Sequence, residues 1–298
     1  MFTKLHALYR NSRLQQEEPD FFFFHDFYWF TDNDETQWFG VPAKDISEDE
    51  LRLLRTLFHS ASLPGRLDPH SKGWHDWLFR SGPLPEAETA RCRIAQIELS
   101  SSEFEQEDAE TALRAFLSED IILLWEKKTR CYLVIPEGND VGEDEFRSII
   151  QAFETDFYVK MYVYLGKFFP ARDQLREGFE KEKDFFGRAL RLMPHERVLS
   201  FEKAFPSCLV AEMKPSLRES LDTQLLGPAA EDSELLDTIK AFLENGSNAT
   251  LSAKKLYIHR NTLQYRLDKF SEKTGVNLKD FNNAVTVYLA CLLKDQQH

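Results

Sequence analysis

The stretch from Leu235 to Leu293 constrains the fold most, because helix-forming segments alternate there with short, well-marked breaks. Its first segment places apolar side chains on one helical stripe and stops at Asn245-Gly246, a good helix terminus. A short helix around Ser252–Leu256, the three-residue bridge Tyr257–His259 and a longer helix that ends at Gly275 follow. Two helices separated by so short a bridge predict a helix-turn-helix.

Helical phase decides which side chains of the longer helix face outward. Leu263 and Leu267 continue the apolar spacing of four residues, so we expect both to point toward the core. Residues on the opposite side, and those at the helix start, can enter a major groove, where Asn, Gln and Arg make paired hydrogen bonds with base edges. The predicted base-reading residues are His259, Arg260, Asn261, Gln264 and Tyr265.

Basic residues surround this predicted surface. Between Leu251 and Lys273, six Lys and Arg residues stand against two acidic residues, a local charge of +4 in a chain of net charge −13. A basic island in an acidic chain indicates where a polyanion binds. The predicted phosphate contacts are Lys254, Lys255, Arg266 and Lys269. The alternative is a helical hairpin with a solvated charged face, which would serve as an adaptor for another protein.

The segment HRNTLQYRL, preceded by LSAKKLYI and followed by KTG and an apolar helix, resembles the C-terminal DNA-binding domain of PucR/CdaR-type transcriptional regulators. It is more distantly similar to the Fis-type helix-turn-helix. Tyr257 is a departure, because many helix-turn-helix proteins carry a small residue in the bridge. The resemblance implies double-stranded DNA as partner and control of a metabolic operon, with purine breakdown, sugar acids and amino acids as family themes.

Composition limits the remaining function classes. At 298 residues with 42% hydrophobic residues, the chain is long enough for two or three domains with their own cores. Its four cysteines are far apart in apolar runs, without CxxC or Cys/His metal spacing, so we expect core thiols in a reducing cytoplasm and no metal site. The aromatic run Phe21–Phe30 is too short for a transmembrane helix and contains two polar residues, so we predict a cytoplasmic protein without a membrane partner.

Before the helix-turn-helix, the pattern predicts an α+β fold class. We expect a small aromatic-rich α+β region first, and its aromatic residues could form either its core or a small-molecule pocket. Its predicted elements are a helix over 1–16, a strand Phe21–Phe30 with the hairpin partner Gln37–Val41, and a helix Glu48–Phe58 opened by a capping box of Ser47 and Glu50.

The middle of the chain alternates in the order β-α-β-β-α-β, which is the ferredoxin-like arrangement and also the core of nucleotide-cyclase palm domains. A long helix follows Pro170. This segment resembles the degenerate GGDEF-like domain of CdaR-type regulators. The predicted strands are Cys92–Leu99, Ile121–Trp125, Arg130–Ile135 and Tyr158–Leu165, and the helices between them are Asp108–Leu117 and Glu143–Phe153.

The segment Val141–Phe146 nearly spells the catalytic motif of cyclases, but it lies in the wrong place. In active cyclases that motif occupies the hairpin between the central strands, whereas the hairpin here is Glu126–Thr129, which has no glycine. We therefore interpret Glu143–Phe146 as a helix start, where acidic residues are favourable. No nucleophile elbow, HExxH or phosphate-binding loop occurs, so we predict no catalytic residues, no cofactor and no enzyme.

The resulting hypothesis is an effector-responsive, sequence-specific DNA-binding regulator that acts as a homodimer. The alternatives are a cyclase-derived signalling enzyme with a regulatory helix-turn-helix, or a protein-binding adaptor. The predicted domains are an N-terminal region with a sensor role (1–85), a degenerate GGDEF-like domain (86–202), a helical linker (203–231) and the helix-turn-helix domain (232–298).

Overall fold

The structure is a computed structural model, and the chain within it divides into two compact units. One comprises Met1–Phe186 and Glu196–Phe201, and the other comprises Gly187–His195 and Glu202–His298. The predicted α+β class is confirmed, because the first unit combines sheets with helices and the second is helical. The structure describes residues 2–16, 19, 27–31, 37–60, 69–80, 82–85, 91–139, 141–170, 173–229 and 232–296.

The first unit begins with a small antiparallel sheet whose strand order is β1-β3-β2-β4. Its aromatic strands bury Phe30 and Phe39 against the helices on one side, while Trp29 and Trp38 join the larger core on the other. Gly40 stands opposite Trp29, and a Cβ there would lie 2.8 Å from the indole ring. The elements are α1 (Phe2–Leu8), β1 (Arg13–Gln15), β2 (Phe27–Thr31), β3 (Trp38–Pro42), α2 (Glu48–Leu57) and β4 (His59–Ser60).

The three N-terminal predictions have different outcomes. The prediction of one helix over residues 1–16 is wrong, because α1 ends at Leu8. The Ser12 hydroxyl donates to the Tyr9 carbonyl at 2.6 Å in the turn that follows, and β1 then pairs with β3. The Ser47–Glu50 capping box is confirmed: Glu50 accepts the Ser47 N–H at 2.9 Å. Of the strand expected over Phe21–Phe30, residues 27–30 lie in β2, and residues 21–26 lie outside the described residues.

The larger sheet of this unit has the strand order β10-β8-β5-β7-β6, with β9 added to β5. Neighbouring strands are antiparallel except β10, which runs parallel to β8. Helices α4 and α5 cover one face, and α3 and α6 cover the other. The elements are α3 (Pro69–Arg80), β5 (Arg91–Leu99), α4 (Gln106–Arg114), β6 (Ile122–Lys127), β7 (Arg130–Pro136), α5 (Glu143–Phe157), β8 (Met161–Leu165), β9 (Phe169–Pro170), α6 (Asp173–Leu192) and β10 (Val198–Ser200).

The cyclase-like segment starts a helix, as predicted. Gly142 is the N-cap residue of α5, and its N–H donates to the Glu145 carboxylate at 2.9 Å. The hairpin between β6 and β7 turns at Lys128-Thr129, and the buried acid Glu126 lies on β6 just before it. The Glu126 carboxylate accepts the Tyr132 hydroxyl and pairs with Lys183 at 2.5 Å, so it stabilises the packing of α6 on the sheet.

The second unit is built from helices, most of which pack around a main core. Leu226 and Ala229, which precede the helix-turn-helix, are buried in the same core as Leu235, Leu263 and Val287. Within the predicted helical linker over residues 203–231, a π-helical turn (Leu221–Leu226) follows α8. The elements are α7 (Phe201–Ala211), α8 (Pro215–Ser220), α9 (Ser233–Glu244), α10 (Ala249–Lys255), α11 (Arg260–Thr274) and α12 (Phe281–Asp295).

The cysteines are buried free thiols, as expected of core residues. Burial raises the pKa of Cys92 and of Cys291 to about 12, so both remain neutral at physiological pH. Among the residues that the structure describes, no helix has the length and apolar character needed to cross a membrane.

Candidate nucleic-acid interface

Local hydrogen bonds define both ends of α10 and α11. The Asn248 side chain accepts the N–H groups of the first turn of α10 at 3.1 Å, which is the usual role of an N-cap asparagine. The Ile258 N–H then returns to the Ala253 carbonyl at 3.0 Å and closes the helix. Helix α11 begins after His259 and ends at Gly275, whose φ of 71° is the left-handed conformation that glycine favours.

The inward face of α11 is apolar and closely packed. Leu263 has no exposed surface, and Leu267 and Phe270 lie beside it in the core shared with α9 and α12. Small residues on α10, Ser252 and Ala253, are also buried, which allows the two helices to approach closely. The predicted inward orientation of Leu263 and Leu267 is confirmed.

The outward face carries the five predicted base-reading residues. All of them are exposed, and Tyr265 keeps 66% of its surface accessible. We call this set the reading face: His259, Arg260, Asn261, Gln264 and Tyr265. Its members therefore lie at the beginning of α11 and on its solvent side, where a groove of DNA could reach them.

Two members of the reading face already have local partners. His259 is the N-cap of α11, because its Nδ1 accepts the Asn261 N–H at 3.2 Å. Sequence reasoning missed this capping role, although the position immediately before the helix could have indicated it. The Gln264 side-chain amide donates to Asp268 at 2.9 Å, one helical turn away. Nε2 of His259, and the amide oxygen and second amide hydrogen of Gln264, remain for DNA.

The cations around the reading face fall into two groups. Lys254, Lys255 and Arg260 are exposed and form no ion pair with any residue that the structure describes. Lys269 and Lys273, by contrast, both contact the Asp232 carboxylate, at 2.8 and 3.4 Å. The assignment of Lys254 and Lys255 to phosphates stays a prediction, and their side chains are free to make such contacts.

Arg266 belongs to the second group. It pairs with Glu234, and its Nη1 donates to the Thr238 hydroxyl at 2.8 Å. Asp232 is also the N-cap of α9, since its side chain accepts the Leu235 N–H at 3.2 Å. The first turn of α9 is thereby joined to one flank of α11. We call the five residues of this ion cluster the acidic brace: Asp232, Glu234, Arg266, Lys269 and Lys273.

The acidic brace shifts the pKa of one carboxylate and of one lysine in opposite directions. The hydrogen bond from Lys269 lowers the pKa of Asp232, and the hydrogen bond to Asp232 raises the pKa of Lys269. Both shifts favour the charged forms. At neutral pH, Lys269 is therefore fully charged and already neutralised by a carboxylate of its own chain.

A known protein family matches the region that contains the reading face and the acidic brace. The family model of the PucR C-terminal helix-turn-helix domain matches residues 235–293, which run from the first turn of α9 to the last turn of α12. The uncharacterised protein YxkF of Bacillus subtilis is 33% identical over 267 residues, which cover 88% of this chain and 90% of that protein.

Some of the relatives have named functions, and two examples follow. The purine catabolism regulatory protein of Bacillus subtilis is 43% identical over 60 residues, which cover 20% of this chain and 11% of that protein. The carbohydrate diacid regulator of Escherichia coli is 24% identical over 145 residues, which cover 47% of this chain and 37% of that protein. These names are those of regulators rather than enzymes, so the prediction that the chain is not an enzyme is confirmed. The chain belongs to the family of DNA-binding transcriptional regulators that carry the PucR-type helix-turn-helix.

Proposed function

We propose that this regulator controls a metabolic operon by inserting α11 into the major groove of operator DNA, in response to a small-molecule effector. The observation that carries the proposal is the exposed reading face beside three cations that have no ion pair among the described residues, in a chain whose net charge is −13. The names of the two regulators described above concern catabolism and carbohydrate acids, which supports a metabolic target. DNA as partner also supports a cytoplasmic location.

Base reading is assigned to the reading face. Arg260 and Asn261 are exposed at the start of α11, and their side chains can make paired hydrogen bonds with guanine and adenine respectively. Gln264 can accept a hydrogen bond from a base through its amide oxygen while Asp268 holds its nitrogen. His259 and Tyr265 are assigned to base edges or to the adjacent phosphates.

Phosphate binding is assigned in two classes. Lys254 and Lys255 meet phosphates directly, because nothing in the described part of the chain competes for them. Arg266 and Lys269 bind phosphates only by exchanging a carboxylate of the acidic brace for a phosphate oxygen. We therefore expect the first class to contribute more to DNA affinity than the second.

The rest of the chain is assigned to sensing and to assembly. We propose a homodimer, because one helix-turn-helix offers few base contacts and specific binding generally uses two half-sites about one helical turn apart. We assign the segment 86–202 to a ferredoxin-like, degenerate GGDEF-like domain, which the strand order β8-β5-β7-β6 and the two helices on one face support. The effector is assigned to the region 1–85, residues 203–231 to a helical linker and 232–298 to DNA binding.

The experiment that tests the proposal is selection of a binding site by the full-length chain from a random double-stranded library. We expect one sequence to be enriched, to bind far more tightly than its scrambled version, and to lose affinity linearly on a plot of log K against log salt. Absence of any enriched sequence, together with absence of salt-dependent DNA binding, would contradict the proposal and favour the protein-binding adaptor.

A further inference from the structure

The bridge before α11 contains a backbone conformation that its residue does not favour. Tyr257 follows the last turn of α10 with φ of 53°, in the left-handed region. Its N–H donates to the Lys254 carbonyl at 3.2 Å, and the next N–H closes the helix. Glycine is the usual residue at such a helix end, because a Cβ in this conformation crowds the following carbonyl oxygen. The chain therefore carries a bulky residue at a position where a smaller one would be less strained.

The Tyr257 side chain makes no contact with the described residues that would stabilise the fold. It is 96% exposed, and it makes no hydrogen bond, ion pair or ring contact with any residue that the structure describes. The neighbouring bridge residues behave differently: Ile258 packs against the core of the second unit, and His259 caps α11. The strain at Tyr257 is thus uncompensated within the described part of the chain.

The position of Tyr257 points to a partner. It lies in the chain between the pair Lys254-Lys255 and Arg260, which are the three cations without an ion pair among the described residues of the helix-turn-helix. It also lies two residues before His259, which caps α11 at the helix end that carries the reading face. A tyrosine hydroxyl can donate to a phosphate oxygen, a contact that fixes a protein on the duplex without reading sequence.

We infer that Tyr257 is a further DNA-contacting residue. Its hydroxyl donates to a backbone phosphate next to the bases read by α11, and its ring lies against the adjoining sugar. The inference rests on the proposed function and adds to it a neutral backbone contact. Tyr257 is a positioning residue, because it holds the register of α11 on the duplex and reads no base itself.

The chain offers a matched control in Tyr158. This residue follows α5 in the first unit with φ of 56°, and it is 92% exposed, so it shares both the backbone conformation and the exposure of Tyr257. It lies far along the chain from the helix-turn-helix. Replacement of either tyrosine by glycine should relieve the same strain, whereas only one replacement should affect DNA.

The experiment compares the full-length parent chain with Tyr257→Gly, Tyr257→Phe and Tyr158→Gly. Each protein is titrated with the operator duplex that the parent enriches and with a scrambled duplex, at several salt concentrations, and its thermal unfolding is recorded. We expect Tyr257→Gly to unfold at a higher temperature and to bind both duplexes about tenfold more weakly, which is the effect of one lost hydrogen bond to a charged group. Tyr257→Phe should lose most of the same affinity. The salt slope should stay unchanged, because tyrosine is neutral and releases no counterion.

The control should unfold at a higher temperature and bind like the parent. The inference is overturned if Tyr257→Gly binds like the parent, or if it lowers the unfolding temperature, which would mean that the side chain supports the fold. Parental binding by Tyr257→Phe overturns the hydroxyl contact, and a loss on the operator alone overturns the phosphate assignment in favour of a base. If the parent itself enriches no sequence and shows no salt-dependent binding, the proposed function fails instead.

Discussion

Asn261 and Gln264 are both exposed polar residues of the reading face, and their replacement tests whether this face reads bases. The Gln264 side chain donates to Asp268, whereas the Asn261 side chain has no hydrogen bond with any residue that the structure describes. Replacement of Asn261 by alanine should weaken operator binding by about 1–3 kcal/mol and relax the preference at one base position. Gln264→Ala should cost less, since its amide nitrogen is already held by Asp268 at 2.9 Å. Titrations on operator duplexes with each base substituted in turn measure both effects.

Leu263 provides the control for that pair. Its side chain is fully buried between α11 and the rest of the core, so Leu263→Ala should destabilise the unit by about 2–5 kcal/mol through the cavity it leaves. Circular dichroism of each variant distinguishes lost folding from lost contacts. If Asn261→Ala and Gln264→Ala remain folded and bind the operator like the parent, the reading face does not read DNA.

Lys255 and Lys269 allow the two classes of cation to be compared. Lys255→Ala should weaken binding to all sequences about equally and reduce the slope of log K against log salt by about one ion. Lys269→Ala should change the slope less, because its ammonium group is already paired with Asp232 at 2.8 Å. Equal slope changes in the two variants would show that DNA displaces the carboxylate completely.

The acidic brace is a feature of two helices, α9 and α11, and its effect can be tested by one conservative substitution. Asp232→Asn keeps a good N-cap for α9 but removes the charge that holds Lys269 and Lys273. We expect tighter DNA binding and a salt slope that is steeper by about one to two ions, because the freed lysines can neutralise phosphates. Titration of the full-length variant at several salt concentrations measures both.

Asp237→Asn is the matched control, since it removes one negative charge from an exposed position of the same helix. If Asp232→Asn and Asp237→Asn give the same affinity and slope, the brace does not compete with DNA.

Acid pH provides an independent check. The pKa of Asp232 is lowered in the folded chain, so its stabilising effect is present above the ordinary value of 3.8 and is lost as the pH falls through the lowered one. The difference in stability between parent and Asp232→Asn should therefore shrink in acid.

How far the sequence predicts an element depends on whether its signals are local. The end of α11 was predictable, because a left-handed glycine follows Thr274, whereas the cap at its start, His259, was missed. The break between α1 and β1 was not predictable, because β1 exists by pairing with β3, more than twenty residues further on. In the middle segment, strands and helices follow one another in the predicted order, because each has a local pattern of its own. Their pairing into one sheet depends on residues far apart in the chain.

The same distinction applies to the candidate site. Helical phase alone predicts which residues of α11 are exposed, and the structure agrees for each member of the reading face. The pairing of Lys269 with Asp232 joins residues 37 positions apart, and that of Arg266 with Glu234 joins residues 32 positions apart. No periodicity within one helix indicates such partners. The positive φ of Tyr257 was equally hidden, although its bulk in the bridge was a visible departure.

Charge distribution over the whole molecule limits how it can bind DNA. A chain with 50 acidic and 37 basic residues is repelled by a polyanion at long range, so binding depends on the few cations concentrated in the helix-turn-helix. Three of those six are held by the acidic brace. One copy therefore has few cations that can make non-specific phosphate contacts. This favours discrimination between operator and other DNA, but it limits the affinity of a single copy.

That limit is the reason for predicting a homodimer as the DNA-binding form. Two copies double the phosphate and base contacts, and their symmetry should appear in the operator as an inverted repeat with half-sites about 10 base pairs apart, or a multiple of that distance. Sedimentation of the full-length chain on operator DNA should give a protein mass of twice 34.8 kDa. A duplex that retains only one half-site is the control, and it should bind much more weakly. A strict monomer both free and on the operator, together with an enriched site that lacks any repeat, would contradict the prediction. In that case, the contacts of a single α11 and its bridge would have to supply the whole specificity.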